Sequence, residues 1–270
     1  MDITSADNVP GETPTLYQLL RKHKRRTARL IRSVRDETGT IQTSVTGIAS
    51  VFTSFFQQKY RCIDPDECVA ALAKLIRAEL PQDMINTYAS PITPEEIYQA
   101  ITTGGKNRAP GRDGLSIEFY KKAWSLIVDD LCSIINSMFF DRAATTQQKL
   151  GTIVCLPKSG PMLTPADRRP ITLLNTDYKI LARVIARRLR PLLALHLKAT
   201  QFCGVPGNTI FDAVATVRDV IAHAEHEKLP VCVLTLDFQH AFDKLSHEYL
   251  FTILRNYGLS PHFVTLLQAL

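Results

Sequence analysis

The chain has 270 residues, 45% of them hydrophobic, and a formal net charge of +6, with an isoelectric point near 9.0. That apolar fraction excludes an intrinsically disordered chain and suits one large domain or two small ones. The basic excess favours a polyanionic partner without proving one. No apolar h-region opens the sequence and no apolar run approaches about 20 residues, so neither secretion nor membrane spanning is expected.

The six cysteines, Cys62, Cys68, Cys132, Cys155, Cys203 and Cys232, include no Cys-x-x-Cys pair. They read as small buried thiols of a reducing compartment. Residues 1–14 are polar and punctuated by Pro10, Gly11 and Pro14, the composition of a loose terminus. A helix is expected from Thr15 to about Val34. Its basic part is Arg21, Lys22, Lys24, Arg25, Arg26, Arg29 and Arg32, with Arg35 just beyond: eight basic residues in fifteen positions without an acid. Such a block can contact phosphates, direct nuclear localisation or form a solvated helix face. Two short helices follow, near Ile48–Tyr60 and Pro65–Glu79, with Phe52, Phe55 and Phe56 as packing residues.

Thr93-Pro94-Glu95-Glu96 starts a helix, with Thr93 as N-cap, Pro94 at its first position and Glu96 reaching back. Gly104 to Gly114 then forms a basic turn carrying Lys106, Arg108 and Arg112. Its spacing fails the P-loop pattern, since Asn107 stands where a hydroxyl is needed. Ile117–Phe140 reads as one or two core helices around the only tryptophan, Trp124. Leu150–Pro157 and Arg169–Leu174 read as strands whose pairing makes a hairpin with Lys158 and Arg169 at its open end. There Arg169 can fork two hydrogen bonds onto phosphate oxygens while Lys158 supplies a point charge. A basic surface hairpin is the plain alternative.

Asp177–Arg190 is an amphipathic helix, with Ile180, Leu181, Val184, Ile185 and Leu189 on one side and Arg183, Arg187 and Arg190 opposite. Residues 168–190 hold seven Lys/Arg against one acid, Asp177, a possible template-binding stripe or a solvated face. After Gln201–Asn208, Asn208 caps a helix running to about Glu227. His223 and His226 lie three apart on it without companion ligands, which argues against zinc. Val231–Leu236 is an apolar, β-branched run expected as a strand buried on both faces. It delivers Asp237 at its downstream end and Asp243 follows six residues later. Ser246 then caps a helix ending near Gly258.

The stretch Leu234, Asp237, Phe238, Ala241, Phe242, Asp243, Leu245, His247 resembles motif A of the reverse transcriptases of LINE-type (non-LTR) retrotransposons. Ala109-Pro110-Gly111-Arg112-Asp113-Gly114 resembles the element that precedes their fingers. Leu156-Pro157-Lys158 and Arg168-Arg169-Pro170-Ile171-Thr172-Leu173-Leu174-Asn175 resemble their first two fingers motifs. The order is that of the family. At 203, 204 and 208 this chain has Cys, Gly and Asn where glycine, phenylalanine and arginine are usual.

The resemblance implies an α+β fold, mainly helical with a small β-sheet: a partial right-hand polymerase with fingers (about 91–229) and the start of the palm (230–270). A basic helical extension, residues 1–90, precedes it. It further implies nucleotidyl transfer with two Mg²⁺ (or Mn²⁺) ions ~3.5–4 Å apart. Asp237 would be the catalytic metal ligand, aided by the Phe238 carbonyl. Lys158 and Arg169 would grip the triphosphate, and Phe242 would be the steric gate against a 2′-hydroxyl. Arg108, Arg112, Arg183 and Arg187 are candidates for template contact. The implied partners are an RNA template, a DNA primer and dNTPs, with no membrane, in the cytoplasm or nucleus.

One carboxylate does not hold two divalent ions, and the family's Ala-Asp-Asp sequence does not occur in these 270 residues. The polypeptide alone is therefore expected not to polymerise. Exposed apolar surface is expected around Val231–Leu236, because neighbouring palm strands would be lacking. A catalytically dead nucleic-acid-binding remnant is the alternative, and a metal nuclease using Asp237 and Asp243 is a weaker third reading.

Overall fold

Local sequence signals set most of the helix starts. The computed structural model describes residues 30–61, 71, 81, 85, 87–88, 90–105, 108–141, 144–158, 163–197, 200–205, 207–238 and 241–270. The expected basic helix before residue 30, the helix at Pro65–Glu79, Lys106, Asn107, Cys62, Cys68 and Pro206 lie outside them. The described chain is mostly helical with two small antiparallel sheets, an α+β arrangement. Contacts group it into two compact units drawn from interleaved stretches. The first takes its described residues from Met1–Asp64, Ile92–Leu181 and Ala269–Leu270, the second from Pro65–Pro91 and Ala182–Gln268.

In the first unit, β1 (Val34–Arg35) pairs with β2 (Ile41–Gln42). The sequence reading placed a helix through Val34, and this hairpin corrects it. The turn is closed by Asp36, whose carboxylate accepts from Thr38 N (3.0 Å), Thr40 N (2.9 Å), the Thr38 hydroxyl (2.7 Å) and Gln42 Nε2 (3.1 Å). An aspartate tied to its own turn in this way competes with helix, and Gly39 takes the positive φ the turn needs (88°). Helix α1 (Val45–Lys59) starts at Ser44, which accepts from Gly47 N. Phe52, Phe55, Phe56 and Tyr60 stack along it with centroids 5.4–6.2 Å apart, so these aromatics pack on one another.

Helix α2 (Pro94–Thr102) has the expected capping box of Thr93 and Glu96. It packs on α3 (Ile117–Phe140), one unbroken helix. Asn136 ties the start of α2 to α3, accepting from Ile92 N (2.8 Å) and donating to Ile92 O (2.9 Å). Ile97, Ile101, Ile135 and Phe139 are fully buried there, each stabilising by roughly 1.5–3 kcal/mol. Trp124 is only half-buried, its ring 5.4 Å from Tyr98. By length and composition alone α3 could cross a membrane, which the sequence reading did not anticipate; Asp129 and Asp130 at mid-helix would be costly in lipid.

After α4 (Thr146–Lys149) come β3 (Thr152–Pro157) and β4 (Arg168–Leu173), antiparallel and in the expected place. Helix α5 (Thr176–His196) follows β4 directly and runs from the first unit into the second. Ile180, Leu181, Val184 and Ile185 are its buried stripe, as the periodicity required.

In the second unit, α6 (Ile210–His226) is capped by Thr209 rather than Asn208. The Asp212 carboxylate accepts from Thr209 N at 2.7 Å, a reciprocal box that Asn208 has no acid to complete. Asn208 instead donates to Gln201 O (2.8 Å) and closes the preceding turn. Helix α7 (His247–Asn256) starts at Ser246 as expected, and Gly258, at φ 85°, ends it. Helix α8 (Pro261–Ala269) buries Phe263, Val264 and Leu266, with Phe263 against Tyr88.

Val231–Leu236 is not a strand. The segment forms no ladder with any described residue, and Val231, Val233, Leu234 and Leu236 are exposed, Leu234 by 77%. A strand needs a neighbour to hold its amides and carbonyls, and the expected exposed apolar surface is present. Two thiols differ from expectation. Cys232 and Cys203 are exposed, whereas Cys132 and Cys155 are half-buried and burial pushes both thiols up.

Candidate nucleotide and template site

Strand alternation decides which of the two adjacent arginines can meet a ligand. Leu156 pairs with Arg169 and Pro157 with Arg168, so the two guanidinium groups leave opposite faces of the hairpin. Arg168 turns inward and is 8% exposed, while Arg169 is exposed. Lys158, the first residue beyond β3, is also exposed. Its backbone N donates to Asp167 O (3.0 Å) and its Nζ to Ala166 O (2.7 Å). One hairpin thus carries both cations expected to grip a triphosphate.

The turn bearing Arg108 and Arg112 is seated on the N-terminus of α5, in the same unit. Thr176 Oγ1 donates to Leu115 O (2.6 Å) and Lys179 Nζ to Ala109 O (3.3 Å). A Cβ on Gly111 would lie 2.1 Å from Asn175 Oδ1 and 2.5 Å from Asn175 N, so only glycine lets the loop come this close. Gly114, at φ 75°, completes the turn. Arg108 and Arg112 are both exposed. Asn175, two residues past β4, therefore links the basic turn to the hairpin. It is 6% exposed, its Nδ2 donates to Gln147 O (3.3 Å) and its Oδ1 is buried without a partner among the described residues.

Arg183 and Arg187 lie on the part of α5 that belongs to the second unit, half-buried and already engaged. Arg188, which the periodicity did not single out, is buried. Its two terminal nitrogens donate to Ser90 O (2.7 Å) and Pro91 O (2.9 Å), a structural clamp. Three arginines in six positions looked alike in sequence; only packing separates them.

Asp237, Phe238 and Phe242 lie in the second unit, in the irregular segment between α6 and α7. All three are exposed, Phe242 by 97%. Asp243 is half-buried and engaged with neighbours. A Mg²⁺ ion takes near-octahedral oxygen ligands, with one or two carboxylates supplemented by water and substrate phosphate. Among the described residues no group of three His, Cys, Asp or Glu converges. Asp237 with the Phe238 carbonyl is thus a share of a divalent site that the described residues do not complete.

The first unit thus holds an exposed basic hairpin with a basic turn fixed beside it, and the second an exposed motif bearing an acid and an aromatic, the pattern expected of a nucleotide- and nucleic-acid-binding class of protein. Comparison with known proteins gives the family. Residues 156–270 match the reverse transcriptase (RNA-dependent DNA polymerase) family. The 149 kDa protein of transposon TX1 of Xenopus laevis is 33% identical over 237 residues, covering 87% of this chain and 18% of that protein. The probable RNA-directed DNA polymerase from transposon X-element of Drosophila melanogaster is 27% identical over 260 residues, covering 93% and 28%. A Pol polyprotein from the type-1 retrotransposable element R2 of Popillia japonica is 26% identical, covering 63% and 23%. The chain carries part of a reverse transcriptase domain of the LINE type, and it spans between 18% and 28% of the length of these three relatives.

Proposed function

We propose that this chain supplies the fingers and the first palm acid of an RNA-directed DNA polymerase of a non-LTR retrotransposon. Residues 91–229 are the fingers, 230–270 the start of the palm and 1–90 a basic extension. The observation that carries the reading is the β3–β4 register, which turns Arg169 outward on the hairpin that also bears exposed Lys158. Lys158 and Arg169 bind the triphosphate of an incoming dNTP. Phe242 excludes a 2′-hydroxyl by its bulk. Arg108 and Arg112, with Arg183 and Arg187, track the phosphates of the RNA template and DNA primer.

Asp237 and the Phe238 carbonyl would be the residues of this chain that hold Mg²⁺ (or Mn²⁺), whose chemistry in this class of reaction would be charge stabilisation on the reacting oxygens. Their site is incomplete with these residues alone, so the polypeptide binds nucleotide and nucleic acid without extending a primer. The work of such a protein lies in the cytoplasm or nucleus.

Primer extension on an RNA template with Mg²⁺ tests this directly. No incorporation is expected from the chain by itself, and incorporation abolished by Asp237→Ala would overturn the incompleteness of the site. Titration with Mg²⁺-dTTP is expected to show binding that Arg169→Ala weakens about tenfold or more, the loss of a charge-assisted pair. A second reading, nucleic-acid binding with no catalytic role, is favoured by the absence of a converging acid cluster among the described residues. It predicts RNA affinity that falls steeply with salt, and no measurable dTTP binding.

A further inference from the structure

Among the described residues of the link between β3 and β4, the side chain of Asp167 gathers the most hydrogen bonds. Its carboxylate accepts from Leu163 N (3.1 Å), Thr164 N (2.8 Å) and the Thr164 hydroxyl (2.8 Å), all through Oδ2. Its carbonyl accepts from Lys158 N (3.0 Å) and its own N donates to Thr164 O (3.2 Å). The single 3₁₀ turn Pro165–Asp167 that results presents Ala166 O to Lys158 Nζ. Asp167 also sits two residues before Arg169, so the segment that fixes Lys158 also feeds the strand carrying Arg169.

The turn touches α1, Pro165 is buried and Arg35 N donates to Leu163 O (2.7 Å). A cleft of about 650 Å³, lined also by Ser50, Ser54 and Gln58 of α1, opens beside Thr164, Pro165 and Ala166. Hydrogen bonds to Asp167 add to this packing in fixing the turn's shape. Oδ2 takes all three of these donors from the chain itself, so this oxygen serves the turn.

We propose that Asp167 is a positioning residue for triphosphate binding: it closes the hairpin link so that Lys158 and Arg169 are presented together. The inference rests on the reading above that these two cations bind the triphosphate. In the resting state Lys158 Nζ is held on Ala166 O, and it exchanges that carbonyl for a phosphate oxygen when nucleotide arrives. An unpinned link leaves the two cations to be ordered at the moment of binding, which weakens affinity without removing a contact.

Equilibrium titration of the full chain with Mg²⁺-dTTP tests this as a double-mutant cycle. Asp167→Ala is expected to weaken binding roughly fivefold to tenfold. In a Lys158→Ala/Arg169→Ala background it is expected to change the residual binding by less than about twofold. Asp167→Asn retains an acceptor oxygen and is expected to recover most of the loss. Equal losses in both backgrounds, or no recovery by Asn, would overturn the positioning role and point to general damage to the fold. Unchanged affinity for Asp167→Ala where Lys158→Ala and Arg169→Ala each weaken binding would overturn it with the polymerase reading intact. Unchanged affinity on removing Lys158 and Arg169 would overturn the triphosphate reading and, with it, this one.

Discussion

At the scale of single residues, chemistry is set by direction more than by identity. Arg168 and Arg169 are neighbours with the same side chain, yet one is enclosed beside Cys155 and the other is offered to solvent. Arg188 serves two backbone carbonyls while Arg183 and Arg187 on the same helix are half-buried. Gly111 shows the same dependence on close approach, since a methyl group there collides with Asn175. Gly111→Ala is expected to destabilise the first unit by about 2–3 kcal/mol through overpacking. Thermal unfolding checks it: the melting temperature should fall by several degrees, and an unchanged value would mean that the 109–116 loop does not rest on α5.

At the scale of elements, turns and caps were the most legible part of the chain. The Thr93/Glu96 box, the Ser246 cap and the Gly258 stop all fall where the residue types placed them. The hairpin at Val34–Gln42 was missed because the basic run suggested a helix continuing to Val34. Asp36 and Gly39 were the available signal.

Both Asp36 and Asp167 close their turns as carboxylates. Hydrogen bonds from Thr38 hold the Asp36 carboxyl below the usual aspartate range, and those from Thr164 do so for Asp167. A carboxyl with a depressed folded pKa stabilises above its unfolded pKa, and the effect is lost as pH falls through the folded value. Amide exchange at Thr38, Thr40, Leu163 and Thr164 should therefore show opening free energies that hold from neutral pH down to about 5 and decline only below about 4. A decline centred near pH 6 would contradict the assignment.

At the scale of the whole molecule, the described residues of the second unit present long runs of exposed apolar side chains. Ile210, Phe211, Val214 and Val217 on α6 are exposed, as are Leu234, Leu236 and Phe238 in the segment that follows. Exposed runs of this kind bind hydrophobic dyes and pair with other chains. The purified chain is expected to bind such a dye strongly, and Leu234→Lys to reduce both dye binding and self-association. A monomer that binds no dye would contradict this picture.

The sequence by itself determined the starts of α2 and α7, the β3–β4 hairpin, the buried stripe of α5 and, through several such motifs in order, the family, because each element rests on spacing within a few residues. Motif order alone named Lys158, Arg169, Asp237 and Phe242. Tertiary structure decided the rest: which arginine turns outward, why residue 111 is glycine, and that Val231–Leu236 pairs with no described residue. Those outcomes depend on what lies opposite each residue in space, and a strand or a buried charge exists only where distant chain supplies its partner.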